Sequence, residues 1–190
     1  MNIKKQREKL FNLLYSKSFM YRDDPPFKLV SGAFSPYYFN CKAVTLDPEG
    51  LSLIGRLMFN EIKDLDIEGL GGLTLGADPI SLAASLEAFR NGKNILPLIV
   101  RKEAKAHGTQ KWIEGNMDKI KSVAVIDDVI TTGGSTITAI DRMRESGLDV
   151  VKALVIIDRE EGGRANIEAK GIEVIPLFRR SDFDARRLSK

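Results

Sequence analysis

Two adjacent carboxylates, Asp127 and Asp128, stand just ahead of a run of hydroxyls and glycines: Thr131, Thr132, Gly133, Gly134, Ser135 and Thr136. Residues 123–126 before them form a continuous apolar run, the pattern of a strand buried on both faces of a parallel sheet, and the acids are expected where that strand ends. Residues 137–143 after them carry helical spacing. A strand, a short loop and a helix N-terminus together make an anion site, because loop amides and hydroxyls wrap a phosphate while the helix dipole favours its charge. The glycines permit close backbone approach. The spacing is not that of a Walker A loop, whose lysine is missing. Two acids beside such a cradle suit the vicinal hydroxyls of a sugar, directly or through Mg²⁺. The pattern implies a ribose 5-phosphate unit as ligand; a helix-capping Asp followed by an ordinary glycine turn is the plainer alternative.

The elements that must position these groups fit one domain over residues 1–190, long enough for a substantial core. Charged residues make up 29% and hydrophobic ones 43%, as in ordinary globular chains. A net charge of +3 is too small for a dedicated nucleic-acid binder. That charge is unevenly spread: Arg101, Lys102, Lys105 and Lys111 face only Glu103 in their segment, which alone carries as much net charge as the whole chain. Cys41 and His107 are the only cysteine and histidine, which excludes an intrachain disulfide, a zinc cluster and the usual transition-metal sites. No apolar run reaches membrane-spanning length and no signal core is visible, so a cytoplasmic home is expected, with no membrane and no nucleic acid as partner.

Along the chain, residues 2–17 have amphipathic helical spacing, ended at the latest by Pro25 and Pro26. Residues 27–41 read as two short strands around a Ser-Gly-Ala turn. Asp47 followed by Pro48 starts a helix, and Asp78 followed by Pro79 starts another that ends near Gly92. Apolar strands are expected at 68–73, 95–100, 123–126, 150–158 and 172–177, with a long polar segment at 101–116. The fold class is therefore α/β, an open five-stranded parallel sheet with helices on both faces; residues 1–45 or so form an N-terminal helix and hood, and 46–178 the core. Ligands on such sheets bind beyond the carboxyl ends of the strands.

Three more strand ends are candidates. At the first, residues 72–79 offer small residues and a helix start for a second anion, though taken alone they read first as an ordinary helix cap. The polar segment from Arg101 is a cationic lid or a solvated loop. At the fourth, Arg159 is a salt-bridge partner or a fork for a ligand carboxylate. Ahead of the sheet, Tyr37, Tyr38 and Phe39 offer either core packing or a surface on which a planar base stacks.

Taken together, FKLVSGAFSPYYFN, RKEAKAHG, VIDDVITTGGST and DREEGGR resemble the orotate phosphoribosyltransferases, a family with the type I phosphoribosyltransferase fold. The third motif is similar to the superfamily's signature for phosphoribosyl pyrophosphate; the other three narrow it to the orotate enzymes. The resemblance spans about residues 27–164. It implies transfer of a phosphoribosyl group from 5-phosphoribosyl 1-pyrophosphate to orotate, giving orotidine 5′-monophosphate and pyrophosphate in pyrimidine biosynthesis. It implies Mg²⁺ bound mainly through the pyrophosphate substrate, and a homodimer with shared active sites. Asp127 and Asp128 match the acids on the ribose hydroxyls; Val129, Ile130, Thr131, Thr132, Gly133, Gly134 and Ser135 match the 5′-phosphate cradle. Thr131 and Arg159 match orotate contacts, with Arg159 facing the carboxylate. Tyr38 and Phe39 match the hood pair beside the orotate ring, Tyr38 replacing a phenylalanine common in the family. Lys102, Lys105 and His107 match the loop over the pyrophosphate, and Arg101 a residue that reaches into the partner subunit.

Two departures stand out. Val30 replaces a lysine before the hood's Ser-Gly, and Leu75-Gly76 replace Tyr-Lys in the pyrophosphate loop. Lys28, on the same face of an extended segment as Val30, is expected to take over part of the missing lysine's role. The chemistry implied is oxocarbenium-like at the ribose, without a covalent enzyme intermediate. The alternatives are a type I transferase for another base and a regulator that senses phosphoribosyl pyrophosphate.

Overall fold

In the computed structural model, which describes residues 2–28, 34–103, 111–118 and 120–189, the chain opens with α1 (Ile3–Lys17), capped by the Asn2 side chain accepting from Lys4 N at 2.8 Å. Four short strands follow: β1 (Phe19–Tyr21), β2 (Phe27–Lys28), β3 (Phe34–Ser35) and β4 (Tyr37–Phe39). β2 and β3 pair as the expected hairpin arms. Residues 37–39 instead form a separate strand, β4, which pairs antiparallel with β1, an element absent from the sequence reading. Three residues carry too little periodicity to announce a strand; only pairing with β4 makes one.

After α2 (Lys42–Thr45) comes α3 (Pro48–Ile62), where the Asp47 carboxylate accepts from Glu49 N and Gly50 N, both at 3.0 Å. That is the capping expected from Asp-Pro. Then β5 (Gly69–Leu73), α4 (Asp78–Arg90), β6 (Leu96–Val100), β7 (Ile113–Glu114), β8 (Ser122–Ile130), α5 (Gly134–Glu145), β9 (Asp149–Asp158), α6 (Gly163–Glu168), β10 (Glu173–Arg179) and α7 (Arg180–Leu188) complete the order.

The central sheet runs β10-β9-β8-β5-β6-β7. Its first five strands are parallel, as expected; β7 adds a sixth, antiparallel edge inside the stretch read as wholly polar loop. Alternate side chains of each strand serve opposite faces. Ala124, Ile126, Leu154 and Ile156 join residues of α1, α3, α4 and α7 in one core layer. Val123, Val125, Ala153 and Val155 meet Ile140 and Met143 of α5 and Ile167 of α6 in the other. Burial on both sides is why these strands read as unbroken apolar runs.

Two expectations need correction. The strand expected to end before the acids continues to Ile130, so Asp127 and Asp128 are strand residues still paired toward β9. And the chain does not leave the core at residue 178: α7 follows immediately, and Phe183 is fully buried among Phe11, Phe19, Phe39 and Phe178 with ring centroids 4.9–6.4 Å away. The charged sequence of α7, with one aromatic in nine residues, hid it. Replacing Phe183 with Ala removes the ring at the centre of this cluster and should cost about 3–5 kcal/mol. Chemical denaturation is expected to show a lower midpoint with an unchanged slope; a midpoint equal to that of the parent protein would mean that α7 contributes nothing to the core.

Candidate active site

A cleft of about 580 Å³ lies at the carboxyl ends of β8 and β9, where an open parallel sheet binds ligands. Its lining consists of the continuous run from Asp127 to Ser135 together with Arg159, Lys28, Tyr38 and Phe39. All of these positions were candidates from sequence.

The geometry follows from two neighbouring strands ending side by side. Ile130 is opposite Asp158, and the ladder continues past both ends as Arg159 N donates to Ile130 O at 3.0 Å. Gly163 N then donates to Thr131 O at 2.9 Å, and Asn166 Nδ2 to Thr132 O at 2.9 Å. The loop at 131–133 is thereby fastened to the segment that carries Arg159. Two glycines make this approach possible. Gly133 has φ of +83°, and a Cβ on Gly163 would lie 2.5 Å from Thr131 O. Gly133 is also the N-cap of α5, with no side-chain hydrogen bond capping that helix.

The acids have different surroundings. Asp127 is buried; its Oδ2 accepts from Thr136 Oγ1 at 2.7 Å and its Oδ1 from Asp128 N at 2.9 Å. Burial first, then the neighbouring Asp128 charge, pushes its carboxyl up to about 7. Asp128 is half-buried and accepts from Val129 N at 2.9 Å through Oδ1. Asp127 therefore ties β8 to the first turn of α5, while Asp128 lines the cleft. Thr136, read only as part of the hydroxyl run, anchors Asp127 and moderates the rise that burial imposes.

Arg159 is 5% exposed. Its Nη2 donates to Ser35 Oγ at 3.0 Å, to Tyr37 O at 3.4 Å and to Glu161 Oε1 at 2.7 Å, while Nε is buried without a partner. Ser35 and Glu161 were not candidates from sequence. Nothing in a serine of a short strand signals that it meets an arginine 124 positions later.

Four other candidates lie outside the lining. Gly76 abuts Asp128, with the carboxylate oxygen 2.9 Å from where a Cβ would stand, and Leu75 beside it is exposed. Arg101 pairs with Glu114 of its own chain at 3.1 Å, and Lys102 is exposed. Lys105, His107 and Val30 lie outside the described residues.

An orotate phosphoribosyltransferase from Leptospira biflexa is 46% identical to this chain over 181 residues, covering 93% of this chain and 97% of the relative. The chain belongs to the orotate phosphoribosyltransferase family. The Mycobacterium tuberculosis orotate phosphoribosyltransferase, solved with Fe(III) dicitrate, superposes with a TM-score of 0.81 at 35% identity, covering 94% of this chain and 98% of that one. The same enzyme solved with 5-phospho-α-D-ribosyl 1-diphosphate gives 0.74 at 30% identity, with 94% and 92% covered. No family model matches the chain. The orotate phosphoribosyltransferase family fold is thus the one described above, with the cleft at its strand ends.

The raised carboxyl of Asp127 predicts a pH dependence of stability for this family member. The unfolded group loses its proton near its ordinary 3.8, whereas the folded one holds it to about 7. Between these values the folded protein binds more protons, so its stability falls as pH rises through that window and levels above it. Thermal unfolding between pH 4.5 and 8 should show this decline in the parent protein and a flatter profile in Asp127→Asn. Parallel profiles would show that Asp127 ionises normally.

Proposed function

We propose that this protein transfers the phosphoribosyl group of 5-phosphoribosyl 1-pyrophosphate to orotate, releasing pyrophosphate and orotidine 5′-monophosphate for pyrimidine synthesis. One observation carries the reading: a single cleft brings the acidic pair, the loop at a helix N-terminus and the buried Arg159 together. The loop Val129–Ser135 holds the 5′-phosphate through amides and hydroxyls. Asp128, backed by Asp127, takes the ribose hydroxyls. Arg159 takes the orotate carboxylate through a charge-assisted fork, and Tyr38 and Phe39 flank the ring. Phe39 rests edge-on against Phe183 at 5.1 Å, which fixes the wall it forms.

Displacing pyrophosphate builds positive charge on the ribose and negative charge on the leaving group. Lys28 lines the cleft, and in this reading it meets part of the latter, with Lys102, Lys105 and His107 contributing as well. Orotate attacks as its anion, so no strong protein base is needed. Mg²⁺, when bound with the pyrophosphate, supplies charge neutralisation to the leaving group. The donor set suits a hard cation taking most of its oxygens from the substrate: the acids are oxygen ligands, and among the described residues no group of three His, Cys, Asp or Glu converges as a cage.

A homodimer belongs to the same reading. Leu82, Leu86 and Phe89 of α4, spaced i, i+4 and i+7, are 53%, 51% and 71% exposed and form one apolar stripe. A second copy of the chain is the occupant that fits, since a symmetric interface is self-complementary. The stripe lies on the helix that starts beside Leu75-Gly76 and Asp128, so a partner seated there borders the cleft, where Arg101 is expected to reach across. Among the described residues no helix is long and apolar enough to cross a membrane; a cytoplasmic setting completes the proposal.

Incubating the protein with orotate, phosphoribosyl pyrophosphate and Mg²⁺ should deplete orotate and release pyrophosphate, while adenine, hypoxanthine and uracil should not react. Arg159→Ala is expected to raise KM for orotate by at least tenfold, the worth of about 1.5–3 kcal/mol for a charged hydrogen bond, with KM for phosphoribosyl pyrophosphate little changed. Equal losses for both substrates would sink the assignment of Arg159.

Sedimentation velocity tests the dimer. The parent protein should sediment as a dimer, and Phe89→Asp with Leu86→Asp as a monomer of much reduced turnover. A parent monomer with full activity, or a dimer untouched by both substitutions, would refute the α4 interface.

A further inference from the structure

Resting on the orotate reading above, we infer that Glu161 is a built-in stand-in for the acceptor's carboxylate, which occupies Arg159 when the site is empty and must be displaced when orotate binds. Arg159 offers five N–H donors in a planar fork. Its Nη2, with two hydrogens, has three oxygens within reach, of which Glu161 Oε1 at 2.7 Å is both the nearest and the only charged one. Its Nε is buried and has no partner. The donors are thus unevenly used, crowded at one nitrogen and unpaired at its neighbour.

A buried guanidinium with only neutral acceptors would be an uncompensated charge. The chain supplies the anion from two residues further along. Backbone torsions of φ 58° at Glu160 and φ 89° at Gly162 turn the segment sharply on both sides of Glu161, and Asp158 Oδ1 holds the turn by accepting from Glu160 N at 2.8 Å. Glu160 is itself held from the other side, accepting from Ser181 N at 2.9 Å. The two partners differ in what leaving costs them. The Arg159 side chain is 6% exposed, whereas that of Glu161 is 33% exposed and can return to water.

Glu161 makes one bond to the fork. A carboxylate arriving from the cleft makes two, to Nη2 and to the unpaired Nε, so exchange favours the incoming group. It does so by less than an unoccupied arginine would allow. Glu161 therefore lowers the affinity for orotate, and equally for the carboxylate-bearing product, and recaptures Arg159 as product leaves. Ligands without a carboxylate are indifferent to it.

The experiment compares the parent protein with Glu161→Gln and Glu161→Asp. Parent turnover of orotate is measured first; its absence would overturn the functional reading itself. With turnover present, Glu161→Gln should lower KM for orotate and the inhibition constant of orotidine 5′-monophosphate together, by roughly three- to tenfold for a half-buried ion pair. KM for phosphoribosyl pyrophosphate and inhibition by uracil should not move. Glu161→Asp, charged but shorter, should shift the same two constants in the same direction by less. An orotate KM that stays put or rises in Glu161→Gln, with turnover intact, would make Glu161 a brace for Arg159 rather than a stand-in and would overturn the inference alone.

Discussion

The register between β8 and β9 is the constraint on which the rest of the structure depends. Ile130 opposite Asp158 brings both strands to an end at the same level, and the bond from Arg159 N to Ile130 O extends their ladder one step beyond the sheet. One end therefore carries the acids and the hydroxyl- and glycine-rich loop, the other Arg159. Slipping this pairing by one residue would turn every side chain to the opposite face. The alternation that buries Val125 on one side and Ile126 on the other forbids that slip. The packing of the core thus determines how far apart the two sides of the cleft sit.

Charge in the cleft is managed by pairing within the low-dielectric floor. Asp127 is held by a hydroxyl and an amide and burial pushes its carboxyl up, whereas Asp128 is half-buried and lines the cleft. A buried carboxylate beside a second one ionises at a cost, and burying Asp127 while leaving Asp128 half-buried at the cleft limits that cost. Arg159 presents the opposite case: a buried cation that needs an anion and has one in Glu161.

The hood is stabilised from the far end of the chain. β4, carrying Tyr38 and Phe39, is backed by Phe183 of α7 through Phe39 and bridged to the Arg159 segment by Arg180. The Arg180 guanidinium lies 5.0 Å from the Tyr37 ring centroid and donates through Nε to Arg159 O at 3.2 Å. The Arg159 side of the cleft is consequently held by the N-terminal β4 and the C-terminal α7 acting together.

What the sequence by itself determined was local. The apolar runs, the Asp-Pro helix starts and the order of acids, hydroxyls and glycines each encode their structure within a dozen residues, because strand burial, capping and anion cradles are short-range effects. These were enough for the parallel sheet and for the run Asp127–Ser135, whereas Lys28, Tyr38, Phe39 and Arg159 became candidates through the family resemblance. The tertiary structure decided what depends on partners distant in sequence. Asp127 and Asp128 became strand residues because β9 continues to pair with them, and β1 became a strand only because β4 lies beside it. A charged nine-residue segment became a core helix because one phenylalanine fits among aromatics from α1, β1, β4 and β10. Ser35 and Glu161 meet on one nitrogen of Arg159, although only one of them is near it in the chain. Pairing and packing energies arise only when the whole sheet is assembled, so no window of residues could have announced them.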